Sequence, residues 1–225
     1  MAENEVKSTA SVKTADFLEK NKKGLVFILA AVIVLLVAYI IFASVSASSK
    51  AKNLQKIDDI SYALTNGSAG LSDDELLARR NKALEDLKAF TSKGGVPGVR
   101  ANLLAAEIEW QKEEKLEAVS YWNAAAKAGK KSYTAPIAYV NIAVAYEDLD
   151  LLDDAAANYR LAADFPGYVM KAHALFNLGR VLEAQGKFLE AVEVYTKLND
   201  ELPSDSFAKL AKTRLIQLKI DGKAE

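Results

Sequence analysis

From Gly24 to Ala43 the chain runs for twenty residues without a charge, GLVFILAAVIVLLVAYIIFA, behind a polar head of 23 residues and ahead of a long remainder rich in Ala, Leu, Lys and Glu. At about 1.5 Å rise per residue, a helix of this length reaches across the roughly 30 Å hydrocarbon core of a bilayer. A secretory signal peptide is the competing reading, but its apolar region usually holds about 7–15 residues behind a short basic lead. Here the head carries Glu3, Glu5, Asp16 and Glu19 among its lysines. The segment therefore reads as a retained transmembrane anchor, with cleavage at the small residues of Ala43-Ser44-Val45-Ser46-Ala47 as the alternative. Lys20, Lys22 and Lys23 crowd its N-terminal end, whereas Lys50, Lys52 and Lys56 begin a long domain whose charges weigh little on topology. A cytoplasmic head and a translocated C-terminal domain follow as the expected orientation.

The chain contains no cysteine, which excludes disulfides, thiol nucleophiles, zinc thiolate sites and iron–sulfur clusters together. A domain after the anchor must be held by its core, and a chain of about 150 residues buries roughly 68–70% of the surface it exposes when unfolded. The formal charge of −1, with acids and bases interspersed, argues against a nucleic-acid partner. No strand-like alternation stands out. The four prolines, Pro97, Pro136, Pro166 and Pro203, are 39, 30 and 37 residues apart and fall at helix boundaries, which sets the scale of a repeating unit. About nine helices fit after the anchor.

Three segments share one face. A small residue, an aromatic four later and an apolar three after that recur as Ala118/Trp122/Ala125, Ala155/Tyr159/Ala162 and Ala191/Tyr195/Leu198. Such spacing places each trio on one side of a helix. Each of these helices follows another with a small residue at matching depth, Ala106, Ala143 or Gly179, so the unit is an antiparallel helix pair.

On these residues the chain resembles the tetratricopeptide repeat family. The segment 172–205 fits at the full 34-residue length through Leu175, Leu178, Gly179, Leu182, Ala191, Tyr195, Leu198 and Pro203. The preceding unit, 136–169, fits through Tyr139, Ile142, Ala143, Tyr146, Ala155, Tyr159 and Ala162, with its proline one position early. A further unit spans 99–132, where Asn102 replaces a large residue. Upstream, Ala83, Leu87 and Phe90 share a face of a helix that pairs with one at about residues 50–65. The glycine-rich Gly94-Gly95-Val96-Pro97-Gly98 reads as a flexible connector between the first two pairs, and the final helix, from Asp205, as a cap in which Arg214 must snorkel or find an acid. The fold class is all-α: an anchor helix, then a solenoid of three to four helix pairs with a capping helix. The expected divisions are 1–23 head, 24–46 span and juncture, 47–98 degenerate first pair and connector, and 99–225 repeats and cap.

Chemistry-bearing residues are sparse. His173 is the only histidine and has no cysteine or second histidine to join it in a triad or metal site. Asp148, Asp150, Asp153 and Asp154 crowd one turn but lack the glycine and distant glutamate of a calcium loop, so Asp153 and Asp154 read as helix-starting acids. Neither catalytic nor cofactor-binding residues are expected, nor a small-molecule substrate. The resemblance implies instead a concave wall built from the first helix of each pair. It would present Arg100, Leu103, Glu107 and Trp110, then Ile137, Val140, Val144 and Glu147, then His173, Phe176 and Arg180. Asn141 and Asn177 match family asparagines that hydrogen-bond an extended peptide, while Leu103, Val140 and Phe176 occupy positions that are basic in repeats clamping a terminal carboxylate. The implied groove is Leu103, Trp110, Val140, Asn141, Val144, His173, Phe176, Asn177 and Arg180, with packing within and between units as the competing role for each. Head, single span and repeats together resemble the YfgM-like ancillary subunits of the bacterial Sec translocon. That resemblance implies an inner-membrane protein with a periplasmic domain that joins export machinery to chaperones or client chains. An organelle-surface import receptor with cytosolic repeats is the alternative.

Overall fold

The computed structural model describes the backbone of residues 2–224 and side chains from Thr14 onward, so the side chains of Glu3 and Glu5 lie outside the described residues. Among the described residues all regular structure is helical: α1 (Ala2–Thr65), α2 (Asp73–Thr91), α3 (Gly95–Gln111), α4 (Lys115–Ala128), α5 (Thr134–Asp148), α6 (Leu152–Ala163), α7 (Lys171–Ala184), α8 (Phe188–Glu201) and α9 (Ser206–Ile220), with one 3-10 turn at Ser68–Gly70. Two compact units divide the chain, residues 1–51 and 52–225.

The first unit holds helix α1 as far as Ala51. Its side chains from Val26 to Val45 are exposed on every side, and it is the one described helix long and apolar enough to cross a membrane. By length and composition such a helix could form a single membrane span. The expected separate helix at 50–65 is the continuation of α1, so eight α-helices rather than nine follow it, and the boundaries expected at 23 and 46 both fall inside one helix. The physical reason is plain: residues 43–65 contain neither proline nor glycine, and serines alone do not stop a helix.

In the second unit each helix packs on its chain neighbours, and α7 also meets α9. Ile57, Ala83, Leu84, Leu87 and Phe90 form one core with Ala101, Ala105 and Ile108. Ser72 starts α2 with a capping box, accepting from the Glu75 N–H while the Glu75 carboxylate accepts from the Ser72 N–H at 2.8 Å. All nine residues of the three recurring trios are buried. Gly179 shows why a small residue must face the aromatic, since a Cβ there would lie 2.4 Å from the Tyr195 ring. The turn within each pair carries a left-handed residue at one register: Glu113 (φ 62°), Asp150 (φ 58°) and Gly186 (φ 73°).

Two local expectations are corrected. Gly94–Gly98 is not a loose connector, because α3 already begins at Gly95. Pro97 sits in its first turn, where no N–H is needed, and Gly98 packs so close to the Lys93 carbonyl that a Cβ would fall 1.6 Å from its oxygen. Asp153 does stand in the first turn of α6, but its carboxylate reaches into the next unit, accepting from Lys187 at 2.8 Å and Gln185 at 3.1 Å rather than capping its own helix.

Candidate functional site

Counting from the small residue in the first helix of each pair, three positions recur: four residues on, sixteen on, and one beyond the small residue of the following unit. In the middle unit these are Glu147, Tyr159 and Arg180. The Tyr159 hydroxyl donates to Glu147 Oε1 at 2.7 Å and Arg180 Nη2 donates to the same oxygen at 2.7 Å, so one carboxylate ties α5 to α6 and α7. In the last unit Glu183 accepts from Tyr195 at 2.6 Å and from Arg214 Nε at 3.0 Å, with a second guanidinium nitrogen on its other oxygen. Arg214 thus finds the acid it needs. Hydrogen bonds to an ionised group are worth about 1.5–3 kcal/mol each, and removing one partner of such a set costs more by stranding the other. Burial pushes Glu183 up, but Arg214 and Tyr195 outweigh it and hold the carboxyl below its usual 4.5. Tyr159 and Tyr195 are both raised, first by burial and then by the glutamate each faces.

The same three positions in the unit before hold Trp110, Trp122 and Val144. No ionic tie forms there. The two indole rings lie 5.7 Å apart at 52°, and a hollow of about 160 Å³ remains, lined by Glu107, Trp110, Trp122, Asn141 and Val144. Trp122 is buried, Trp110 and Asn141 are half-buried, and Val144 is 38% exposed. The Asn141 amide has no side-chain hydrogen bond among the described residues. Lys115 stands 5.8 Å from the Trp110 ring centroid and pairs with Asp148 at 3.2 Å.

The structure therefore brings Trp110, Asn141 and Val144 together at one open place, which Glu107 also lines. Leu103 lies farther along α3, half-buried beside a separate cleft, and Val140 packs against the core shared by α5 to α9. The third-unit residues are largely engaged inside the fold. Phe176 lies 5.9 Å from Tyr195 and 5.7 Å from Phe207; His173 meets the edge of Phe207 at 5.1 Å. Asn177 donates to the His173 carbonyl at 3.0 Å and sits 3.0 Å from its Nε2. Arg180 is committed to Glu147. Burial, then the nearby Arg180 charge, lowers His173 below 6.5. Sequence reasoning placed Glu147 and Arg180 on one wall without seeing that they bond to each other, and it overlooked Glu183. The available signal was the fixed register of acid, tyrosine and arginine across two units.

Residues 145–206, which contain the full-length unit at 172–205, match the tetratricopeptide repeat family. A relative described as a TPR repeat-containing protein, from Treponema pallidum (strain Nichols), is 29% identical over 150 residues, 67% of this chain. The match spans 61% of that relative's length. The crystal structure of the apo form of RapI aligns over 79% of this chain and 72% of its own, with a TM-score of 0.46 and 16% identity. Residues 145–206 of this chain thus match tetratricopeptide repeats, and the chain also carries an N-terminal apolar helix.

Proposed function

We propose that this protein is a membrane-anchored scaffold that holds extended, partly apolar segments of other proteins against the wall formed by α3, α5 and α7. The observation that carries this reading is that Trp110, Trp122 and Val144 stand where the next two joints along the chain have a Glu–Tyr–Arg tie. Where the ties form, polar side chains are spent on each other. At the joint without one, aromatic surface, an exposed valine and an uncommitted amide surround a hollow, which is the composition of a binding hot spot. Tetratricopeptide repeats are modules for binding other proteins, and the apolar helix α1 gives the means of holding them at a membrane. The head faces the cytoplasm and the repeats the periplasm in this reading, because three lysines border the span on the head side. There the partners would be components of the export translocon, chaperones and emerging chains. The alternative, a cytosolic receptor for import, keeps the wall and reverses the side.

The test installs the missing tie. Trp110→Glu, Trp122→Tyr and Val144→Arg together should keep the repeats folded, because the same trio already packs twice in this chain. Photo-crosslinks from a probe at Asn141 to translocon and chaperone subunits should then fall by about tenfold or more, the loss that follows when a central anchor worth roughly 2 kcal/mol is removed. Unchanged crosslinks in the folded triple variant, with loss on substitutions in α1 between Leu25 and Phe42, would transfer recognition to the span.

A further inference from the structure

A second concavity has a different chemistry. A cleft of about 610 Å³ lies between the start of α3 and the turn from α4 to α5, a size within the roughly 300–1,000 Å³ of ligand-binding pockets. Val96, Val99 and Leu103 supply apolar surface from α3, and the Tyr133 ring adds more from the turn. Gly129 lets the turn close against α3 beneath the cleft, since a Cβ there would lie 2.7 Å from Val99 Cγ2 and 3.0 Å from Thr134 Oγ1. Every charged residue around the cleft is a cation: Arg100 on α3, and Lys130 and Lys131 on the turn. Arg100 already donates to Asp58 at 2.5 Å, whereas Lys130 and Lys131 form no ion pair among the described residues. The N-terminal ends of α3 and α5 border the same space; α3 receives no side-chain cap and α5 only the Ser132 hydroxyl on the Thr134 N–H at 3.4 Å, so both dipoles add positive potential.

We propose that this cleft binds an extended peptide segment in which an apolar side chain is flanked on both sides by carboxylates. The apolar group enters beside Val96, Val99 and Tyr133, and the carboxylates meet Arg100 on one element and the lysine pair on the other. Charge complementarity selects the occupant: the unpaired Lys130 and Lys131 attract one acid, and Arg100, which meets Asp58 through a single nitrogen, has further N–H donors for the other, so a segment with acids on both sides suits the cleft better than a fatty acid with its single carboxylate. Leu103 lines this cleft and also belongs to the wall proposed to bind partners, so the inference rests in part on that reading and adds a charge requirement to it.

Full-length protein in phosphatidylcholine nanodiscs would be titrated by fluorescence anisotropy with a short labelled peptide carrying Leu and Phe between Asp pairs. A matching peptide with Lys in place of Asp, and oleate as competitor, complete the set. The acidic peptide should bind about tenfold or more tighter than the basic one and weaken with rising salt. Lys130→Glu with Lys131→Glu should lose about tenfold, as should Val96→Asp, whose side chain is 60% exposed and replaceable without disturbing the core. Both variants should keep the wild-type melting midpoint. Trp110→Ala and Val144→Asp should change this short peptide's affinity by less than about threefold. Equal affinity for the two peptides, or full affinity in the lysine and Val96 variants, overturns the proposal. Displacement of the acidic peptide by oleate at stoichiometric concentration overturns it in favour of a lipid. Loss in the Trp110 and Val144 variants alone leaves the wall reading standing and removes the cleft.

Discussion

Glu183 and His173 lie on the same helix, and both are held on the low side of their ordinary pKa values for opposite reasons. Glu183 stays charged because Arg214 and Tyr195 donate to it, outweighing its burial; His173 stays neutral because burial and Arg180 oppose its protonation. In both cases the unfolded chain takes up its proton at a higher pH than the folded one, so each contribution is complete above the unfolded value and lost as pH falls. The His173 contribution should fade below about 6.5 and the Glu183 contribution below about 4.5. Melting midpoints measured from pH 8 to about pH 3 should therefore stay level and then drop in two stages. His173→Gln should remove the upper stage. Glu183→Gln should lower the midpoint at pH 7, by stranding Arg214, and flatten the lower stage. A midpoint that rises on acidification through pH 6 would contradict the burial of neutral His173.

Among the elements, the turns inside the helix pairs carry strain at a common place. Glu113 and Asp150 adopt the left-handed conformation that Gly186 adopts at the corresponding position. A side chain there costs on the order of 1 kcal/mol relative to glycine. Glu113→Gly and Asp150→Gly should each raise the chemical denaturation midpoint by an amount near that value, less the extra freedom glycine gives the unfolded chain. Gly186→Ala should lower it. These turns were legible as turns from their polar residues, and the helix pairs from the small-aromatic-apolar trios, because both signals are local and repeat in register. The continuity of α1 through the serine-rich stretch 44–49 was not legible, since weak helix formers are overruled when no breaker intervenes. Nor were the Glu147–Arg180 and Glu183–Arg214 ties, whose partners stand 33 and 31 residues apart. The register that sets Glu147 and Arg180 on one side was legible. Which of the residues there are already committed to one another is a matter of side-chain geometry that spacing does not contain.

For the whole molecule, a chain without cysteine makes the orientation of the repeats directly measurable. A cysteine introduced at the exposed Lys197 should react with a membrane-impermeant maleimide added to spheroplasts, and one at Lys20 only after the membrane is opened; the reverse pattern would place the repeats in the cytoplasm. The same blank background exposes a mechanical consequence of the paired ties. Glu147 and Glu183 brace α5, α7 and α9 against one another, while α3 meets α5 across a joint with no such brace. The joints from α5 to α9 should therefore be stiffer than the one between α3 and α5, which coincides with the hollow at Trp110 and Val144. Spin labels placed in pairs on the exposed faces of α3 and α5 should give a broader distance distribution than pairs on α5 and α7, and partner engagement should narrow it. In the proposed scaffold, guests of different thickness would be accommodated by elastic opening at that joint, with α5 to α9 keeping their arrangement.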